Sequence, residues 1–289
     1  MNVRLREEQV KLTPSLLEID FSETQKRICR FIKEYVENAG AEGIVLGLSG
    51  GVDSGTIAAL SSLAIGGENV LGLMLPEKEN VSQKDLNDAK AVAVQFQLKT
   101  QVCDMSDVLE CFYKGIPVFD QSDNICKGNV KARTRMVYLY YYANKQNRIV
   151  CGSSDKSETM MGYFTKWGDA AADIAPILDL YKTQVRKLAI ALGIARDLAL
   201  KPSTPGLWPN QLAETELEIK YEHLDLILFG LERFMETEEI ADQMGLEKSI
   251  VNRVKSRWLA NEHKRRMPIA PKIGFRTVGN DFRLPRHTY

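Results

Sequence analysis

Three histidines in 289 residues leave little material for imidazole chemistry, and 38 basic residues set against 38 acidic ones leave no net charge. A neutral chain has no overall field to draw in nucleic acid or an anionic membrane. The five cysteines are odd in number and never fall in a C-x-x-C pair. That pattern argues against a disulfide framework or a thiolate zinc site and fits reduced thiols in a cytoplasm. No apolar run approaches the roughly 18 residues a membrane-spanning helix needs. The opening "MNVRLREEQV" mixes charges of both signs and lacks the apolar core of a secretion signal. A soluble cytoplasmic protein that binds neither nucleic acid nor membrane is expected.

What the sequence does have is alternation. Short apolar runs, "GIVLGL" from Gly43, "VLGLML" from Val70, "KTQVCD" from Lys99 and "RIVCGSS" from Arg148, read as strands. Between and before them lie helical patterns: one after a Ser22 cap to Ala39, then Thr56 to Ile65, Lys84 to Phe96, and about Asn129 to Asn144. Such alternation predicts an α/β protein with a doubly wound, Rossmann-like parallel sheet flanked by helices. Ligands of such sheets bind beyond the carboxyl ends of strands. Past Asp173 the pattern changes. "LKPSTPGLWPNQLAETELE" reads as a long functional loop, with helices following to Arg266 and an extended, arginine-containing tail. The expected division is one domain over 1–289: a helical leader 1–42, a nucleotide-binding core 43–200, and a loop with a helical C-terminal part 201–289.

The stretch "GIVLGLSGGVDSG" admits two chemistries. Gly47-Leu48-Ser49-Gly50-Gly51 satisfies the G-x-S-x-G of a nucleophile elbow between strand and helix. A hydrolase also needs a histidine partner, yet His223, His263 and His287 lack a triad context, and no HGGG-type oxyanion loop is present. Read instead as an anion cradle, Gly50 and Gly51 admit a close backbone approach, Ser49 and Ser54 supply hydroxyls, and a helix start near Asp53 directs N–H groups at the ligand. Asp53 is unfavourable beside bare phosphate but suits a magnesium ion bridging phosphate oxygens. The loop is neither a Walker A sequence, lacking G-K-[ST], nor a G-x-G-x-x-G fingerprint. A glycine turn serving only helix–strand packing is the plain alternative.

"SGGVDS" resembles the pyrophosphate-binding loop of the N-type ATP pyrophosphatases, which cleave ATP to AMP and pyrophosphate. "KGNVKARTRM", "SDKSETMMGYFTKWGDAAADIAPILDLYKTQVRKLA" and "NEHKRRMP" are similar to NAD synthetase sequences, in the same order, over about Gly43 to Pro268. The resemblance implies the N-type ATP pyrophosphatase fold and a ligase for the last step of NAD biosynthesis. The nicotinate carboxylate of deamido-NAD would be adenylated and ammonia would displace AMP, with ATP as co-substrate, Mg²⁺ as cofactor, and a homodimer whose interface bears the deamido-NAD site. By the same resemblance ATP is held by Gly47, Leu48, Ser49, Gly50, Gly51, Val52, Asp53 and Ser54, with Ser153, Lys182 and Ser203. Asp53 and Glu158 would take the metal, and Asp53 and Lys182 would stabilise charge, with no side-chain nucleophile. Deamido-NAD would meet Arg133, Lys166, Asp173, His263 and Lys264. Arg133 and Arg135, two apart, point different ways on a helix and should not share one phosphate. Ser153 stands for a usual threonine, Ala170 and Ala171 for usual glycines, and Glu218 for another glycine. The loops "PEKENVSQ" and "PSTPGLWPNQLAETELE" are expected to close as lids that keep water from the adenylate. Only about forty residues precede the glycine loop, with no glutaminase-like cysteine, so free ammonia is the expected nitrogen source; a separate amidotransferase subunit stays open.

Two other readings compete. A sister pyrophosphatase would adenylate another acid or a tRNA. "TEEIADQMGLEKSIVNRVKSRW", Thr237 to Trp258, has the pattern of a DNA-reading helix-turn-helix, with Arg253, Lys255 and Arg257 on its second helix. Against it stand Glu238, Glu239 and Asp242 on the first helix, which would face the DNA backbone with the wrong sign.

Overall fold

Helix α1 (Phe21–Asn38) is capped by Asp20, whose carboxylate accepts the Glu23 N–H at 2.9 Å; the expected cap, Ser22, lies inside the helix. Its buried face, Ile28, Ile32 and Val36, repeats every four residues as helix geometry requires. The structure is a computed structural model and describes residues 11–80 and 82–277. The first ten residues of the leader, Val81 of the first loop, and the end of the tail with His287 lie outside the described residues.

Strand β1 (Gly43–Gly47) leads through the glycine loop into α2 (Val52–Ile65). There follow β2 (Val70–Met74), α3 (Gln83–Gln95), β3 (Lys99–Val102), α4 (Ser106–Gly115), α5 (Asn124–Lys145) and β4 (Arg148–Val150). Two helices begin earlier than their apolar spacing suggests. α2 takes in the end of the glycine loop, and α5 starts behind Asp123, which accepts the Cys126 N–H at 2.8 Å. Caps are polar, so hydrophobic periodicity does not register them.

The four strands are parallel and run in the order β3-β2-β1-β4. β1 and β2 are covered on both faces, which is why they read as unbroken apolar runs. β3, at the edge, exposes all four residues. The chain builds outward from β1 to β3 and then returns to the other side of β1 as β4. The strand order therefore reverses between β1 and β4, and the crevice beyond their carboxyl ends is the expected ligand position.

The chain then forms α6 (Lys156–Met161), α7 (Lys182–Ala191), α8 (Arg196–Ala199), α9 (Ala213–Leu217), α10 (Tyr221–Glu232), α11 (Thr237–Met244), α12 (Lys248–Ala260) and α13 (Glu262–Arg265). One core cluster joins β1 and β2 to α1, α2, α3 and α7, and a second gathers Leu224, Ile227, Ile240, Val251 and Val254 of the C-terminal helices. Met161 of α6 and Tyr181, just before α7, belong to the second cluster. The helical part thus packs against the elements that follow β4.

Candidate active site

The glycine loop is fastened from within and from outside. Leu48 and Val52 are buried, so these two can offer a ligand only their main chain. Ser49 and Ser54 bring their hydroxyls within 3.0 Å of each other, Ser49 N–H donates to Ser54 Oγ, and Ser54 Oγ donates to the Gly51 carbonyl. Gly50 has φ +77°, and a Cβ there would lie 2.1 Å from the Asp85 carbonyl oxygen of α3, so only glycine fits. On the outer side Lys201 donates to the Gly50 carbonyl at 3.2 Å, to Asp88 at 2.8 Å, and to Asp85. Sequence reasoning missed Lys201: a lone lysine beside a proline carries no signal of its partners.

Across the β1–β4 crevice, Lys182 at the start of α7 is completely buried among three carboxylates. Its Nζ lies 2.6 Å from Asp53 Oδ2, 2.8 Å from Glu158 Oε1 and 2.8 Å from Asp155 Oδ2. Asp155 caps α6 by accepting the Glu158 N–H at 2.8 Å, and it too was missed. The signal was available in D-x-x-E, the spacing of a capping box. Burial works against the ammonium, but the three carboxylates outweigh it and hold Lys182 protonated well above its ordinary range. Burial, with Asp155 and Asp53 nearby, pushes Glu158 up to about 8 and raises Asp155 as well.

Three carboxyl groups crowd one ammonium, so ionising all of them would need a further cation, and Asp53 Oδ1 is buried with no hydrogen-bond partner. Among the described residues no group of three or more His, Cys, Asp or Glu could hold a metal by itself. A cation here would draw part of its coordination from phosphate oxygens, as hard magnesium does. Ser153 lies half-buried in the loop after β4. Ser203 holds the Ala213 N–H through its carbonyl at 2.9 Å, while its Oγ is buried with no partner.

The residues assigned to the dinucleotide are arranged differently. Lys166 donates to the His263 carbonyl at 2.7 Å and lies 5.3 Å from the centre of the Trp167 ring. Lys264 donates to the Gly162 and Phe164 carbonyls at 2.7 and 2.8 Å, and burial lowers its pKa. Arg133 donates to the Lys166 carbonyl at 3.3 Å, whereas Arg135 reaches the Gly206 carbonyl at 3.1 Å. The two arginines do point to different partners. Asp173 accepts the Val150 N–H at 2.8 Å and the Tyr140 hydroxyl at 3.2 Å, closing the end of β4.

A family model described as NAD synthase matches residues 24–268. The NH(3)-dependent NAD(+) synthetase of Methanocaldococcus jannaschii is 46% identical over 253 residues, 87% of this chain and 97% of that protein. The chain belongs to the NAD synthase family. Among solved structures, the NMN synthetase from Francisella tularensis matches with a TM-score of 0.78 at 30% identity, over 89% of this chain and 100% of that one. The NH3-dependent NAD synthetase from Campylobacter jejuni, in complex with nitrate, matches at 0.73 and 30%, over 88% and 100%.

The departures from NAD synthetase glycines differ in consequence. Ala170 and Ala171 are not among the residues with positive φ, so neither needs glycine's freedom; the left-handed residue of that segment is Trp167, at +63°. Glu218 does adopt φ +54° as the C-cap of α9, where glycine is favoured. Its carboxylate meets Arg253 at 3.2 Å. That contact bears on the DNA-reading alternative, which the family membership displaces. Arg253 also donates to the Glu218 carbonyl, and Arg257 donates to the Met161 and Glu216 carbonyls. Two of the three cations singled out on the supposed recognition helix, Arg253 and Arg257, thus fasten α12 to the protein. Ser49, the supposed nucleophile, bonds to Ser54 and Gly51 within its own loop.

Proposed function

We propose that this protein is an ammonia-dependent NAD synthetase, a C–N ligase that amidates deamido-NAD while ATP is cleaved to AMP and pyrophosphate. The observation that carries the assignment of roles is the buried Lys182, held between Asp53 after β1 and Glu158 after β4 at the edge of the glycine loop. The glycine-loop amides and the first turn of α2 receive the phosphates. A carboxylate oxygen of deamido-NAD attacks the α-phosphorus, and pyrophosphate leaves with the electrons of the broken P–O bond. Lys182, fixed before substrate arrives, offsets the negative charge that builds on those oxygens at no reorganisation cost. The ammonia lone pair then attacks the acyl carbon, AMP departs with the carboxylate oxygen, and the excess proton is lost to solvent. Asp53 and Glu158 would hold a magnesium ion, which would supply positive charge to offset that of the phosphates.

The same reading assigns Ser153 and Ser203 to ATP, and Arg133, Lys166, Asp173, His263 and Lys264 to deamido-NAD. It takes the chain as one domain with the divisions given above. It also takes the protein as a cytoplasmic homodimer. The five free cysteines support the compartment, and no helix of the described residues is long and apolar enough to cross a membrane. For the dimer, Val137 and Tyr141 lie one turn apart on α5 and are more than half exposed, an apolar stripe suited to a second copy.

The likeness to an NMN synthetase supports a second reading, in which the acid is the mononucleotide. Supplying ATP, Mg²⁺ and ammonium with each acid separately, and following AMP, pyrophosphate and amide together, decides between them. Equal amounts of AMP, pyrophosphate and NAD are expected with deamido-NAD. Formation of ADP would refute the pyrophosphatase chemistry, and AMP formed only with some other acid would move the protein to a sister activity.

A further inference from the structure

We propose that Asp225 of α10 is a positioning residue for the adenylation site, setting Glu158 and Lys182 against Asp53 by bridging the first turns of α6 and α7. Asp225 is completely buried, and both its oxygens are engaged. Oδ1 accepts the Ser157 hydroxyl at 2.5 Å, and Oδ2 accepts the Thr183 N–H at 2.9 Å. Ser157 Oγ in turn accepts the Lys182 N–H at 2.9 Å. Ser157 precedes Glu158, and Thr183 follows Lys182. One carboxylate therefore holds the Ser157 side chain beside Glu158 and the main chain beside Lys182, the residue that pairs with both Asp53 and Glu158.

The same helix supplies a second contact. Tyr221, one turn before Asp225, is buried with its ring centre 5.4 Å from the Lys182 Nζ. Side chains four apart share a face of a helix. One side of α10 thus supports the ammonium through an aromatic ring and holds its backbone through a carboxylate. Leu224, Ile227 and Leu228 of α10 pack into the second core cluster. Helix α10 accordingly acts on ATP chemistry by way of the first turns of α6 and α7.

Burial pushes the Asp225 carboxyl up to about 7, and above that pH the ionised group accepts from both donors, so the variants are compared there. Asparagine keeps one acceptor and turns an NH₂ donor toward the Ser157 hydroxyl or the Thr183 amide, so Asp225→Asn breaks the bridge with almost no change of volume. The inference rests on the adenylation reading, and the test separates the two: the wild type's failure to form AMP would count against that reading, whereas Asp225 is judged on ATP binding as well as turnover. Circular dichroism and thermal melts establish that Asp225→Asn folds. Calorimetry then measures ATP affinity across magnesium concentrations, and steady-state assays measure AMP formation. The variant should bind ATP with magnesium roughly 10-fold more weakly and form AMP about 30-fold more slowly, as expected for an unsatisfied buried donor. The KM for deamido-NAD should stay within about 3-fold, because the disturbed contacts lie on the ATP side. Ser157→Ala should show a smaller loss of the same kind, and the double variant should be no worse than Asp225→Asn alone. A folded Asp225→Asn with unchanged ATP affinity and AMP formation overturns the proposal. So does an equal rise in both substrates' KM values, which would mean general loosening. Should Asp225→Asn fail to fold, Ser157→Ala with wild-type magnesium dependence overturns it instead.

Discussion

The two sides of the crevice hold their charges in different ways. On the ATP side, side chain meets side chain: one buried ammonium lies within 2.8 Å of three carboxylates, and a second lysine clasps the back of the glycine loop. On the dinucleotide side, Lys166 and Lys264 donate to main-chain carbonyls, as Arg133 does. A neutral carbonyl competes for a cation less strongly than a carboxylate, since charge-assisted bonds are about twice as strong. The difference teaches where preorganisation matters. Under the proposed assignment, the ATP side would be set for charge that develops in the transition state, and the dinucleotide side would hold cations that a phosphate or carboxylate takes over on binding.

The strongest break of this contrast is Lys182→Met. Removing the ammonium leaves three carboxylates facing one another and should cost about 3–5 kcal/mol of stability. It should also abolish AMP formation; a melting curve and an AMP assay read the two effects, and a stable, active variant would dissolve the contrast. Lys166→Ala tests the other side. It should raise the KM for deamido-NAD by roughly 10-fold or more while changing the KM for ATP little. An equal change in both would mean that the two sides are not separable.

The loop at 201–212 is held from α5 through the Gly206 and Leu207 carbonyls, which take bonds from Arg135 and Lys131. Shortening Leu207 to Gln211, or the milder Arg135→Ala, should raise AMP released per NAD formed by several-fold, as water reaches the adenylate. Unchanged coupling in both variants would remove the lid from the account. The smallest effect belongs to Glu218→Gly, whose carboxylate pairs with Arg253. Relief of the left-handed residue should exceed the loss of an exposed ion pair and the added freedom of the unfolded chain, for a gain of about 0.5 kcal/mol. A lowered melting temperature would show that the Arg253 contact outweighs the strain.

The alternation of apolar runs and helices sufficed for the α/β class, because strands covered on both faces must be apolar throughout. It missed the true starts of α1, α2 and α5, whose first turns are set by Asp20, the glycine loop and Asp123. The glycine loop and the residues matching NAD synthetase motifs were readable because local backbone geometry ties their identity to their order. Asp53, Glu158 and Lys182 were each readable only one at a time, as separate positions in separate motifs. Lys201 and Asp225 carried no such mark, each being defined by partners distant in the chain, while Asp155 offered only the D-x-x-E spacing of a helix cap. Sequence alone determined that this protein would have a tight glycine turn between its first strand and the following helix, since backbone freedom at a helix start is local chemistry. Only the tertiary structure decided which charges face each other across β1 and β4. The reversal of strand order brings Asp53 to a lysine 129 residues away, and no local pattern encodes a partner at that distance.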